Sequence, residues 1–113
     1  MDAKEFIITT IFDKRWNELS LTDEALRQLQ NHIIRNPASG DVIEGTGGLT
    51  KLRWKLQGKG KSSGIRVLYV DFIRQGTVIL VNCYSKSEKD AISDKEKALY
   101  KSFIKEIGRE LKQ

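Results

Sequence analysis

The sequence predicts an α+β fold, a mainly antiparallel β-sheet of about four strands with N-terminal helices and a C-terminal helix packed on it. Apolar residues recur at helical spacing near both ends of the chain, whereas three β-rich segments follow one another in the middle. Glycine-containing turns separate these central segments. A length of 113 residues suits one domain, so we expect residues 1–113 to form a single domain with its helices on one side of the sheet.

The first third of the chain predicts one strand and two helices. Phe6 to Phe12 is apolar and β-branched enough for a strand, and a short helix is expected over Asp13 to Leu19. Thr22 to Arg35 has apolar residues on one helical face and predicts a longer helix. Asn36-Pro37 ends this helix, because the residue before a proline is disfavoured in the α region.

The rest of the chain predicts three consecutive strands and a helix. The dense apolar run Val78 to Val81 indicates a central strand that is buried on both faces. Arg74-Gln75-Gly76 predicts the hairpin before it, and Ser93 with Glu96 forms a capping box that begins the last helix. The three strands are expected at Leu49–Leu56, Ile65–Ile73 and Thr77–Tyr84.

A row of cations is built into the first of these three strands. Between Gly45 and Val70 the chain has six cationic residues and no acidic one, namely Lys51, Arg53, Lys55, Lys59, Lys61 and Arg66. Leu52, Trp54 and Leu56 alternate with Lys51, Arg53 and Lys55. Since successive strand side chains point to opposite faces, the apolar row faces a core and the cations face away from it. With a net charge of +5, this pattern indicates a phosphate-bearing partner.

Three further side chains are candidates for the same site. Arg66 lies in an otherwise apolar strand, where it is either at a sheet edge, paired with a carboxylate, or on the same surface as Lys51 and Arg53. Tyr84 and Lys86 follow the central strand, at a strand end where functional residues often gather. Packing and a role in the site are both open for Tyr84.

Other chemistries find little support in the sequence. Gly58 to Gly64 does not have the glycine spacing of a nucleotide-binding P-loop and leads into a strand. His32 has no partner at metal-ligand spacing, and the lone Cys83 is expected to be a buried structural thiol. We therefore expect neither a metal nor a cofactor. The N-terminus lacks a signal-peptide pattern and no 18-residue apolar stretch exists, so we expect a soluble cytoplasmic protein without a membrane partner.

Three segments in the expected order resemble the HigB branch of the RelE/ParE-type bacterial toxins. They are Gly40–Arg53, Gly58–Tyr69 and Tyr84–Glu88. The resemblance implies the toxin of a type II toxin–antitoxin pair, a ribosome-dependent endoribonuclease that cuts translated mRNA and so inhibits translation. It also implies a cognate antitoxin, often of the helix-turn-helix type. The toxin–antitoxin complex would contact operator DNA only through this antitoxin.

The resemblance assigns roles to individual residues. RNA carries its own nucleophile, the 2′-hydroxyl, so the protein must orient it and stabilise charge on the phosphorane. Arg66 is expected to hold the scissile phosphate, because its planar guanidinium can donate two hydrogen bonds to phosphate oxygens. The remaining catalytic candidates are Lys61, Lys86 and Arg53 for charge stabilisation and Lys51 or Lys86 as general base, with Tyr84 as an alternative base. Lys55, Lys59 and Trp54 are further candidates for contact with RNA or the ribosome. Trp54 either packs in the core or on the sheet face or, if its ring is exposed, stacks on a base.

Two other functions remain open. The same fold occurs in ParE-like toxins, which act on DNA gyrase without RNA chemistry. A non-enzymatic nucleic-acid-binding module would also account for the cations. The set formed by Lys51, Arg53, Arg66 and Lys86 argues against action on gyrase.

Overall fold

The computed structural model describes residues 4–55, 64–88 and 91–112. Within them the chain forms five strands and three α-helices, which confirms the predicted α+β class. The strands are β1 Glu5–Ile8, β2 Asp41–Val42, β3 Thr50–Trp54, β4 Ile65–Phe72 and β5 Thr77–Ser85, and the helices are α1 Thr10–Glu18, α2 Asp23–Arg35 and α3 Asp94–Leu111. Leu56, the last residue of a predicted strand, lies outside the described residues.

The sheet has the strand order β1-β5-β4-β3-β2 and is mixed. As predicted, β5 is an inner strand, with β4 antiparallel on one side of it. On its other side β1 pairs with β5 in parallel, which the sequence pattern did not predict. The short strand β2 lies in the glycine-rich segment before β3 and pairs only with Thr50 and Lys51. The sheet therefore has one strand more than the expected four or so.

Helices cover both faces of the sheet, so the prediction of helices on one side is wrong. Alternate residues of the strands belong to two separate apolar cores. On one face α1 and α2 pack on a core that includes Phe12, Trp16, Leu29, Ile33, Val67, Tyr69 and Leu80. On the other face α3 packs through Ile104 on a core that includes Leu49, Leu68, Val70, Ile79 and Val81. The continuous apolar run in β5 is the sequence signal of this double burial.

The boundary between β1 and α1 also differs from the prediction. The strand ends at Ile8, and Phe12 belongs to the helix rather than to the strand. The hydroxyl of Thr9 caps α1 by accepting a hydrogen bond of 3.0 Å from the backbone nitrogen of Phe12. The ring of Phe12 then stacks on Trp16 one turn later, with 5.5 Å between the ring centroids. The Thr9 cap and the packing of the Phe12 ring favour a helix at this point, although the preceding isoleucines prefer a strand.

The other predicted boundaries are close to those observed. Thr22 caps α2, Asn36 ends it, and Ser93 forms with Glu96 the capping box that begins α3. A single 3₁₀ turn followed by Gly76 joins β4 to β5, and Gly76 adopts the left-handed conformation with φ of 62°. Among the residues that the structure describes, no helix combines the length and apolar character needed to cross a membrane.

Candidate functional site

A row of polar side chains crosses three strands of the sheet. Arg53 in β3 lies directly opposite Arg66 in β4, and Arg66 lies directly opposite Tyr84 in β5. Residues directly opposite each other on neighbouring strands share a face, so the three side chains leave the sheet on the same side. Lys51 precedes Arg53 by two residues and shares this face too. We call the four residues the basic face.

Arg66 is the buried member of the basic face. The residue is only 8% exposed, and no carboxylate or other hydrogen-bond partner among the described residues contacts its guanidinium. A Cβ at Gly64 would lie 3.8 Å from Nη1 of Arg66, so the guanidinium lies beside the glycine that precedes β4. A cation on a largely buried residue, with no partner among the described residues, favours an anion that can enter.

Tyr84 is buried in the α3-side core beside Arg66. Its position therefore agrees with packing, and its place opposite Arg66 agrees with a role in the site. Lys86 follows β5 immediately and is exposed. Its backbone nitrogen donates a hydrogen bond of 3.3 Å to the carbonyl of Gly64, which brings the backbone at Lys86 to the start of β4. The structure thus brings Lys86 near the end of the basic face that holds Arg66.

Of the other residues predicted for the site, the structure describes Lys55 and Trp54, which lie on two different surfaces. Lys55 is exposed just beyond β3, near the basic face. Trp54 projects to the opposite face of the sheet, where it packs against the core beneath α1 and α2 and its ring lies 5.1 Å from that of His32. The other two predicted cations, Lys59 and Lys61, lie outside the described residues.

An ion pair that the sequence did not predict ties α1 to the end of β5. Arg15 of α1 donates from Nη2 to the carboxylate of Glu88, and from Nε to the carbonyl of Cys83 at 3.4 Å. The second carboxylate oxygen of Glu88 accepts a hydrogen bond of 2.9 Å from the backbone nitrogen of Ser85. Glu88 thereby closes the turn that contains Lys86 and joins it to a helix. We call Arg15 and Glu88 the clamp.

The clamp changes the acidity of Glu88. Hydrogen bonds from the backbone of Ser85 and from Arg15 lower the pKa of the Glu88 carboxyl from 4.5 to about 2. Because the folded value lies below the unfolded one, the clamp contributes to stability in full above pH 4.5 and loses this contribution as the pH falls toward 2. The clamp is therefore fully formed at neutral pH.

A carboxyl ¹³C titration by NMR tests this directly. We expect Glu88 to titrate at a pKa of about 2 in the wild type and at a higher pKa in Arg15→Ala. Arg27→Ala is the matched control, because it breaks an exposed pair with Glu24 on α2 and should leave Glu88 unchanged. An ordinary pKa for Glu88 in the wild type would contradict the observed hydrogen bonds.

The described residues offer the site neither a reactive thiol nor a cluster of metal ligands. Burial raises the pKa of the Cys83 thiol to about 12, so this cysteine is a packed and unreactive residue, as predicted. Within the described part of the chain, no three His, Cys, Asp or Glu side chains converge in a way that could hold a metal ion. The chemical groups at the site are therefore guanidinium, ammonium and phenol.

Comparison with known proteins identifies related chains. The family model described as "RelE toxin of RelE / RelB toxin-antitoxin system" matches residues 6–112. A solved structure of a doubly substituted variant of the E. coli toxin RelE in the free state superimposes with a TM-score of 0.55. The two sequences are 17% identical, and the match covers 79% of this chain and 90% of the RelE chain. This structural similarity supports a common fold.

Proposed function

Since the chain belongs to the RelE toxin family of toxin–antitoxin systems, we propose that it is a ribosome-dependent endoribonuclease that cleaves translated mRNA. The proposed reaction is attack of the 2′-hydroxyl on the adjacent phosphate, which displaces the 5′-oxygen and needs no metal ion from the protein. Cleavage of translated messages would inhibit translation. The HigB-like branch remains the prediction for its place within the family.

The proposal rests on the environment of Arg66. Arg66 is only 8% exposed, its guanidinium lies beside Gly64 without a carboxylate partner among the described residues, and it shares a face with Arg53 and Lys51. A phosphate that entered this face would gain a bidentate contact to Arg66 and further positive charge around it. Such donors stabilise the extra negative charge of a phosphorane, which is the main demand of this reaction.

The residues that transfer the proton would lie in or next to the basic face. Lys51 or Lys86 is the proposed general base, and Tyr84 is the alternative because it lies opposite Arg66. Lys61 is proposed to add charge stabilisation from the segment between β3 and β4. Lys55 and Lys59 would contact RNA phosphates of the message or the ribosome.

The family also implies a cognate antitoxin as partner. We propose that this antitoxin is of the helix-turn-helix type and that operator DNA is contacted only through the toxin–antitoxin complex. The ribosome and its mRNA are the proposed targets of the free toxin, in the cytoplasm. Action on DNA gyrase and simple nucleic-acid binding are the two alternatives that an experiment must separate from cleavage.

Translation dependence separates these functions. After brief induction of the toxin, the ends of a reporter mRNA are mapped by primer extension, beside a matched mRNA whose start codon is removed. We expect new ends inside the translated message and none in its untranslated partner. Growth arrest without new mRNA ends would favour the gyrase or binding alternatives, and equal cutting of both messages would contradict ribosome dependence.

A further inference from the structure

A groove of about 580 Å³ lies beside β3, next to the basic face. It is lined by Gln28, His32, Arg53, Trp54 and Lys55. The pairing of β2 with β3 ends at Lys51, so among the described strands none covers the outer edge of β3 beyond that residue. Arg53 and Trp54 leave β3 on opposite faces, and the groove therefore runs around this open edge.

The lining of the groove combines aromatic and polar groups. The rings of His32 and Trp54 are tilted by 58° with 5.1 Å between their centroids, which leaves an aromatic wall rather than a closed stack. Gln28 on α2 adds an amide that can both donate and accept hydrogen bonds. Aromatic faces with a neighbouring amide are the groups with which proteins bind an unstacked RNA base.

The position of the groove connects it to the basic face. Arg53 lines the groove and also lies directly opposite Arg66, about 5 Å away between backbones. Lys55 adds a second cation on the groove side. An RNA strand whose phosphate is held at Arg66 would therefore pass the mouth of the groove. This order of contacts, first cations and then aromatic rings, favours a single nucleic-acid strand over a protein segment.

We propose that this groove is a base-binding subsite that takes one unstacked base of the RNA next to the cleaved phosphate. The base stacks on the wall formed by His32 and Trp54, Gln28 hydrogen-bonds its edge, and Arg53 and Lys55 bind its phosphate. The inference rests on the proposed function only for the identity of the ligand as RNA.

Tryptophan fluorescence provides a direct test, because Trp54 lines the groove whereas Trp16 is 3% exposed in the core. The probe is a short single-stranded oligoribonucleotide with 2′-O-methyl groups, which cannot be cleaved by 2′-hydroxyl attack. We expect this RNA to quench the Trp54 fluorescence. Inorganic polyphosphate of equal charge should bind the cations without quenching, because it has no bases to stack.

Variants locate the binding in the groove. His32→Ala is expected to weaken binding of the oligoribonucleotide roughly tenfold, the effect of losing one stacking partner. Lys105→Ala removes a cation beside Phe72, at the far end of β4 about 20 Å from Arg66, and should leave binding unchanged. Equal affinity of wild type and His32→Ala, or quenching by polyphosphate alone, would overturn the proposal.

This test is independent of cleavage. If mRNA is not cut but the oligoribonucleotide quenches Trp54 through His32, the groove binds RNA bases and the proposed function is wrong. If mRNA is cut but the oligoribonucleotide does not quench Trp54, the proposed function holds and the base-binding subsite is wrong. Quenching by the antitoxin and not by RNA would make the groove a protein-docking surface and would also overturn the proposal.

Discussion

Replacing Arg66 with alanine is expected to slow mRNA cleavage by at least about a hundredfold, the usual loss when one preorganised donor to a developing negative charge is removed. The expected loss is large because Arg66 is only 8% exposed, which holds its guanidinium in place, and no carboxylate among the described residues competes for it. Single-turnover cleavage of mRNA on programmed ribosomes measures the effect. Arg66→Lys should recover only part of the rate, since it keeps the charge but loses the planar pair of donors.

Stability and activity are expected to respond differently to Arg66→Ala. The variant removes a cation with no described partner, which offsets the packing lost with its side chain, so the free energy of unfolding should change little. Arg74→Ala is the matched control, because Arg74 is exposed in the turn after β4 and lies outside the basic face. Wild-type cleavage by a folded Arg66→Ala protein would mean that the site lies elsewhere.

Breaking the clamp is expected to reduce kcat by roughly ten- to a hundredfold while ribosome binding is kept, because small misplacements of a catalytic group are this costly. Glu88 hydrogen-bonds Ser85 and thereby holds the turn that carries Lys86. Arg15 and Glu88 are positioning residues on this account. Their variants Arg15→Ala and Glu88→Gln should therefore lower kcat with little change in KM.

A double-mutant cycle separates positioning from general destabilisation. The losses in kcat from Arg15→Ala and Glu88→Gln should not add, because either change alone breaks the same ion pair. The exposed pair of Glu24 and Arg27 on α2 is the control, and its removal should leave kcat unchanged. Additive losses, or an effect on KM alone, would show that the clamp does not position Lys86.

The part of the site that follows from local periodicity could be predicted from the sequence. The alternation in β3 gave the side of the sheet on which Lys51 and Arg53 lie, and the register then brings Arg66 to them. The capping box of Ser93 and Glu96 was equally local and was observed. These features depend on residues that are a few positions apart, where backbone geometry leaves few alternatives.

Features that depend on distant residues could not be predicted in this way. Arg15 and Glu88 are 73 residues apart, and neither has a local pattern that names the other as partner. The parallel pairing of β1 with β5 and the placement of α3 on the opposite face also depend on tertiary packing. The sequence gives His32 no partner at metal-ligand spacing, and it does not indicate that His32 lies against Trp54 in the fold.

The chemistry of the cut ends tests the central claim most directly. Ribosomes are programmed with an mRNA that is cleaved at a mapped position, and the products are compared with those of the same mRNA carrying a single 2′-deoxynucleotide at that position. Attack by the 2′-hydroxyl on a phosphate held at Arg66 predicts a 2′,3′-cyclic phosphate and a 5′-hydroxyl, and no cleavage of the deoxy-substituted message. Products with 3′-hydroxyl and 5′-phosphate ends, or undiminished cleavage at the deoxynucleotide, would contradict it.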